Sequence, residues 1–192
     1  MNWLAHLVLS DRSAAFRVGN VLADILPVPE LRRLPDAFQP GIERHRAIDA
    51  YTDRHPIFRR SVVRLDPRSR RFGPVVMDIF YDHLLTANWS VHVDVSLPDF
   101  VAGFHADVET CRPDIPDDAY ALLRRMRAGE WLTSYGDFAG VRLTLNRMSR
   151  RLRRPVDLGA ATDELERHYA ELAHDFAEFF PGIRAHFGGN IV

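Results

Sequence analysis

Apolar residues recur at three- and four-residue spacing through most of this 192-residue chain. That spacing puts them on one face of an α-helix, so the sequence predicts an all-α protein. We expect helices over residues 2–10, 13–26, 41–54, 57–65, 74–89, 98–111, 117–129, 137–152 and 158–179, with a short one near 181–187. The proline-rich stretch 27–40 is predicted to be a loop or a broken segment, and 91–97 an extended connection.

The length and composition suit one folded unit. Neither a repeat nor a linker divides the chain, so we expect a single all-α domain over residues 1–192. Apolar residues make up 46% and charged residues 27% of the chain, which excludes global disorder. No apolar run approaches the roughly 20 residues that span a bilayer, and no basic segment precedes the first apolar stretch, so we expect a cytoplasmic protein. A lone cysteine, Cys111, excludes an internal disulfide and a cysteine-based zinc site.

The helix predicted for 74–89 carries charge in an apolar setting. It is apolar on most sides, which is typical of a buried helix, yet it contains Asp78, Asp82 and His83. Burying an unpaired carboxylate costs on the order of several kcal/mol, and a divalent cation would compensate that cost. The structural alternative for Asp82 is that it accepts hydrogen bonds from the N-terminus of a nearby helix.

A second set of polar residues lies in the helix predicted for 41–54. His45, Asp49 and Asp53 follow one another at i, i+4 and share one helical stripe. Each alone has a structural alternative, because the carboxylates could pair with neighbouring arginines and the histidine could be a partly exposed helix residue. Together with Asp24 in an earlier helix and the charged residues of 74–89, they supply oxygen and nitrogen ligands for one or two metal ions. Without sulfur, this set favours Mn²⁺, Mg²⁺ or Fe²⁺ over structural zinc.

The chain resembles the acyl carrier protein phosphodiesterase family in five stretches. These are NWLAHL at 2–7, GNVLAD at 19–24, GIERHRAIDAYTDRHP at 41–56, MDIFYDHLL at 77–85 and GEWLTSY at 129–135. The match is in order over residues 1–90, thin beyond Tyr135, and most specific in the 41–56 block. The resemblance implies a divergent HD-type phosphohydrolase that is all-helical and Mn²⁺-dependent. It also implies hydrolysis of holo-acyl carrier protein to the apo form and 4′-phosphopantetheine.

Roles for individual residues follow from this resemblance. Asp24 matches an aspartate that the family treats as catalytic or metal-binding, and Asp82 is the second carboxylate expected to act in catalysis. The implied metal ligands are drawn from Asp24, His45, Asp49, Asp78, Asp82 and His83, with His6 as a further candidate. The family often carries a second histidine two residues after the first, where this chain has Val8.

The chemistry of such a site follows from the cation. It would lower the pKa of a bound water and neutralise charge on the phosphoryl oxygens. A carboxylate that does not bind the metal would orient the water or protonate the leaving serine oxygen, and residue spacing does not choose among the aspartates.

Three further residues are expected near the substrate. Asn20, one turn before Asp24, is predicted to hydrogen-bond to the site, with the role of an ordinary helix-interior polar residue as the alternative. Trp131 and Tyr135 lie at i, i+4, and such aromatics more often belong to a core. Their place in a family-like stretch implies that they border the pantetheine pocket.

All 25 basic residues are arginine, and they cluster at 68–71, 124–127 and 147–154. A solvated face explains any one such run. Because acyl carrier proteins are acidic, the resemblance implies a docking role, and Arg68, Arg70 and Arg71 are expected nearest the site since they precede the helix with Asp82. A net charge of −1 and the lack of any nucleic-acid motif argue against a nucleic-acid partner.

Three functions are consistent with these features. The leading one is a metal-dependent phosphodiesterase acting on holo-acyl carrier protein. The second keeps the metal site but acts on a nucleotide or another small phosphodiester, and the third is a non-catalytic helical adaptor for an acidic partner. Neither a membrane partner nor a particular oligomeric state is indicated.

Overall fold

The computed structural model describes residues 1–150 and 156–188, and all regular structure in these ranges is helical. The α-helices are α1 (Trp3–Val8), α2 (Ala14–Ile25), α3 (Val28–Leu31), α4 (Gln39–Arg54), α5 (Pro56–Arg64), α6 (Pro67–Arg70), α7 (Gly73–Ala87), α8 (Trp89–His92), α9 (Leu97–Thr110), α10 (Asp117–Ala128), α11 (Phe138–Ser149), α12 (Ala161–Arg167) and α13 (Tyr169–Phe187). Short 3₁₀ helices occupy Asp36–Phe38, Arg112–Asp114 and Ser134–Gly136. The predicted all-α class is confirmed. None of the described helices is long and apolar enough to cross a membrane.

Two predicted connections are partly helical. The stretch 27–40 contains α3, which begins directly after Pro27, and a 3₁₀ helix after Pro35. Proline fixes φ near the helical value and lacks a donor that the first turn would leave unpaired, so it starts these short helices instead of preventing them. The predicted extended connection 91–97 begins within α8.

The C-terminal helices also differ from the prediction. The helix expected over 158–179 is divided at His168 into α12 and α13. No break occurs near 181, since α13 continues through Pro181 to Phe187. Proline removes one backbone hydrogen bond there, but the buried side chains of Phe180 and Ile183 hold the last turns against the core.

Helix α7 lies at the centre of the larger hydrophobic cluster, as its apolar sequence predicts. It contacts α1, α5, α11 and α13. Val76, Met77, Phe80 and Leu84 are fully buried. Polar groups on this helix therefore have to find their partners inside the protein.

Asp82 is such a group, and it attaches α1 to α7. Its two carboxylate oxygens accept hydrogen bonds from the backbone N–H groups of Leu4, at 2.9 Å, and Ala5, at 3.0 Å. Burial raises the pKa of Asp82 to about 7, against the opposing effect of these two donors. A six-residue helix is not stable alone, so this cap, together with packing, holds α1 in place.

Helices α2 and α4 approach each other closely because glycine occupies both contact points. A Cβ added at Gly41 would lie 2.0 Å from the carbonyl oxygen of Phe16, and one at Gly19 would lie 2.5 Å from that of Phe38. Both distances are too short for any side chain, so only glycine permits this spacing.

A buried ion-pair network joins α5 to α13. Asp175, fully buried, receives hydrogen bonds from Arg60 and Arg64 at 2.8 Å each and from Ser61 at 2.9 Å. Burial alone would raise the pKa of Asp175, but the donors of Arg64, Ser61 and Arg60 outweigh it and hold that pKa below its ordinary value. The carboxylate is therefore ionised and paired in the folded protein.

We expect Gly41→Ala to lower the free energy of unfolding by about 1–3 kcal/mol, because α4 has to move away from α2. Gly103→Ala is the matched control, since its Cβ would lie 3.9 Å from the nearest atom, on Arg17. That variant should be neutral or stabilised by up to about 1 kcal/mol. Urea unfolding followed by circular dichroism measures both, and equal stabilities would contradict the close contact.

We expect Asp175→Asn to lower the free energy of unfolding by about 2 kcal/mol at neutral pH, a value moderated by the partial exposure of its arginine partners. The pKa of Asp175 is lower in the folded protein than in the unfolded chain, where it is about 4. The stability that this difference provides is therefore present above about pH 4 and is lost as the pH falls below that value. The difference from wild type should therefore shrink in acid. Asp163→Asn, at an exposed ion pair with Arg142, should change stability little at either pH.

Candidate metal centre

Three side chains from two helices form a compact group of nitrogen and oxygen ligands. Nε2 of His6, on α1, lies 3.0 Å from Oδ1 of Asp49, and Nε2 of His45 lies 3.2 Å from Oδ2 of the same carboxylate. His45 and Asp49 are one turn apart on α4, so they face the same way. Ligand atoms of all three lie within 4.8 Å of one another, and no other group of three or more such residues meets that condition in the described ranges.

The carboxamide of Asn20, on α2, orients both imidazole rings. Its Nδ2 donates to the carbonyl oxygen of His6 at 3.2 Å and to the hydroxyl of Ser10 at 2.8 Å, which directs Oδ1 towards the two rings. That oxygen lies 3.1 Å from Nδ1 of His6 and 3.2 Å from Nδ1 of His45. An oxygen acceptor requires a protonated Nδ1 on each ring, so both Nε2 atoms turn their lone pairs towards Asp49.

Nε2 of His6 faces two acceptors, Asp49 and the carbonyl oxygen of Met1 at 3.0 Å. A proton on Nε2 would satisfy these contacts, but burial lowers the pKa of His6 to about 4, against the opposing hydrogen bond to Asp49, so the ring is neutral at pH 7. A divalent cation would bind these atoms directly, and this donor set, with no thiolate, fits one of the harder metals.

Asp78 adjoins this group through the amino nitrogen of Met1. That nitrogen lies 2.8 Å from Oδ1 of Asp78 and 3.4 Å from Oδ1 of Asp49. Burial raises the pKa of Asp78, opposed by the charge of the Met1 ammonium group. The structure therefore brings four predicted metal ligands to one place, His6, His45, Asp49 and Asp78, together with the predicted site residue Asn20.

Two predicted ligands on α7 lie apart from this group. Both oxygens of Asp82 bind the backbone of α1, as described above. His83 donates from Nδ1 to the carbonyl oxygen of Tyr135 at 2.7 Å, and its ring lies among aromatic side chains that include Phe80 and Phe138. Both residues remain predicted ligands that the structure does not bring into contact with Asp49, His6 or His45.

Asp24 lies in a neighbouring cleft of about 460 Å³, counted to its open mouth. Its Oδ2 accepts a hydrogen bond from the indole N–H of Trp3 at 2.8 Å. The predicted aromatic residues Trp131 and Tyr135 also line this cleft, and the hydroxyl of Tyr135 accepts from Asn2 at 2.6 Å. Asn2 directly precedes α1, which carries His6, and Asp24 lies one turn beyond Asn20 on α2, so the cleft adjoins the histidine pair through these two helices.

Backbone geometry at the end of α10 fixes the position of Trp131. The backbone N–H of Trp131 donates to the carbonyl oxygen of Met126 at 3.1 Å, and the backbone N–H of Glu130 donates to the carbonyl oxygen of Arg127 at 3.1 Å. These two hydrogen bonds form a Schellman motif. Glu130 takes the left-handed conformation, with φ 50°, that usually belongs to glycine. At Gly129 a Cβ would lie only 2.4 Å from Nε1 of Trp131. The indole is thus folded back and stacks with Trp3, with ring centroids 6.1 Å apart.

The arginines predicted to dock a partner have unequal surroundings. Arg70 donates to the carbonyl oxygens of Val63 and Leu65 and so caps the end of α5. Arg71 lies over the ring of Phe72, and Arg68 is exposed. Of the run at 147–154, residues 151–154 lie outside the described ranges.

Trp3 and Arg147 are cleft residues that the sequence reasoning missed. Trp3 stands three residues before His6, so the spacing within NWLAHL placed it on the same side of α1 as a candidate ligand. Arg147 was counted only as one member of a charged run. Its guanidinium carbon lies 4.9 Å from the centroid of Trp131, a contact that no local pattern specifies.

Comparison with known proteins gives a consistent assignment. Residues 1–183 match the family described as acyl carrier protein phosphodiesterase. Proteins of that name from Salmonella dublin and Escherichia coli O157:H7 are each 33% identical over 186 residues, covering 96% of both chains. One from Enterobacter sp. (strain 638) is 31% identical over 182 residues, or 94% of both chains. No solved structure matches, so the implied HD-type fold stays a prediction. By the extent of these matches, the chain belongs to the acyl carrier protein phosphodiesterase family.

Proposed function

We propose that this protein is a metal-dependent phosphodiesterase that hydrolyses holo-acyl carrier protein to apo-acyl carrier protein and 4′-phosphopantetheine. Family membership supports the substrate class. The observation that supports metal dependence is the orientation of both imidazoles by Asn20, because it leaves two Nε2 lone pairs facing one carboxylate. In the reaction, the oxygen of water bonds to phosphorus, the bond from phosphorus to the serine oxygen breaks, and a proton from the water ends on that oxygen.

His6 and His45, through Nε2, and Asp49, through its carboxylate, would hold the cation. Mn²⁺ suits this set, with Mg²⁺ and Fe²⁺ as alternatives. When bound, such a cation lowers the pKa of water and stabilises charge on the phosphoryl oxygens. Asn20 keeps the Nδ1 atoms protonated, so the Nε2 atom of each ring has a lone pair available for a cation, and Asp49 presents its carboxylate to both.

Asp24 is better suited than Asp82 to move the proton. Both oxygens of Asp82 accept backbone hydrogen bonds, so that carboxylate positions α1 and with it His6. In the part of the chain that the structure describes, Asp24 is held by Trp3 through Oδ2, which leaves Oδ1 able to exchange a proton within the cleft. Such a carboxylate can act in general acid–base catalysis when the substrate brings its reacting oxygen within hydrogen-bond distance.

The carrier protein would be recognised through charge. Arg68 and Arg71 make no ion pair with a carboxylate in the described ranges, so both can meet an acidic surface. Such rim charges raise the encounter rate and set orientation. Arg70 is exposed as well, but its Nη2 is engaged by hydrogen bonds to the end of α5, so we expect it to contribute less.

The first experiment incubates the protein with holo-acyl carrier protein and MnCl₂ and follows the intact mass of the carrier. We expect the mass to fall by one 4′-phosphopantetheine, the loss to stop after EDTA treatment, and Mn²⁺ to restore it. A small phosphodiester is the parallel substrate. Cleavage of the small phosphodiester alone would favour a phosphohydrolase that acts on small substrates. If neither substrate is cleaved with or without Mn²⁺, a non-catalytic adaptor would be favoured.

The second experiment compares Asp49→Asn with Glu43→Gln, an exposed carboxylate on the same helix. Loss of a ligand should lower kcat by about a thousandfold or more and abolish Mn²⁺ binding in calorimetry, while Glu43→Gln should match wild type. Circular dichroism checks that both variants are folded. Full Mn²⁺ affinity in folded Asp49→Asn would contradict the proposed centre.

A further inference from the structure

Arg147, on α11, lines the cleft beside the candidate metal centre together with Trp3 and Asp24. Among the described residues, no carboxylate lies within ion-pair distance of its guanidinium group. Some other partly buried arginines are paired with carboxylates, as Arg17 is with Asp107 at 2.7 Å and Arg64 with Asp175 at 2.8 Å. Arg44, in contrast, donates to backbone carbonyl oxygens.

Arg147 is nevertheless held in one place. Its guanidinium carbon lies 4.9 Å from the centroid of Trp131, within the range of a cation–π contact. Trp131 in turn is fixed by the left-handed residue before it and by its near-parallel stacking on Trp3, at an interplanar angle of 13°. A guanidinium in contact with a ring still has N–H groups available, and a pair of these can bind a phosphate through two parallel hydrogen bonds.

We infer that Arg147 binds the phosphate of the pantetheine arm in this cleft, an inference that rests on the proposed function. The apolar part of the arm would lie along the two indoles. Its amides would meet the polar side chains of Asn2 and Tyr135 at the same wall. Arg147 and Asp24 both line the cleft, and an anionic phosphate is attracted to the arginine. Arg147 would thus determine specificity for the phosphorylated arm.

Free 4′-phosphopantetheine is the probe, and tryptophan fluorescence is the readout. Two of the three tryptophans of the chain, Trp3 and Trp131, line the cleft. Wild type should bind 4′-phosphopantetheine more tightly than pantetheine, which lacks the phosphate. Arg147→Gln should raise the Kd for 4′-phosphopantetheine by about tenfold or more and leave the Kd for pantetheine unchanged, because only the charged contact is lost.

Two further variants make the test specific. Arg147→Lys keeps the charge but not the planar fork, so its Kd should fall between those of wild type and Arg147→Gln. Arg142→Gln, on the same helix but paired with Asp163, should bind as wild type does. With holo-acyl carrier protein, Arg147→Gln should raise KM by a similar factor.

Failure of the inference is distinguishable from failure of the proposed function. Equal affinity of wild type for the two probes, or an unchanged Kd in Arg147→Gln, would overturn the phosphate site even if holo-acyl carrier protein is hydrolysed. Phosphate-dependent binding that needs Arg147 would uphold it even if hydrolysis is not observed, in which case only the proposed reaction fails.

Discussion

The close packing of α2 against α4 is the constraint on which the candidate centre depends. With glycine at 19 and 41, the two backbones approach to a distance that no side chain would allow. One consequence is that Asn20 on α2 reaches His45 on α4 and, on its other side, His6 on α1. A wider spacing would separate the carboxamide from the rings and leave several buried polar groups without partners, which is costly.

Buried polar groups elsewhere follow the same logic. Asp82 occupies the centre of an apolar helix because two backbone N–H groups of α1 need acceptors, and α1 keeps its place because Asp82 provides them. Asp175 performs a similar task between α5 and α13, with arginine side chains as donors. Each of these carboxylates holds a short or peripheral helix against the core, so the polar residues of the interior determine how the helices are arranged.

The histidine pair and the cleft differ in chemical character. His6 and His45 are buried and Asp49 is partly exposed, and together these three side chains are suited to a cation. The cleft is open, partly aromatic and bounded by residues of opposite charge, which suits an elongated ligand with an anionic end. The two are linked through α1, since Trp3 and His6 belong to one helix, and through α2, since Asn20 and Asp24 are one turn apart.

The sequence by itself determined the all-α class, most helix positions and the i, i+4 pairing of His45 with Asp49, because these follow from local periodicity. It also determined the family, through motifs that are contiguous in the chain. Only the tertiary structure decided that His6 joins that pair, that His83 faces an aromatic wall and that Arg70 caps a helix, because each depends on contacts between residues distant in sequence. The continuation of α13 past Pro181 was decided in the same way, since burial of its apolar face outweighs the local preference of proline.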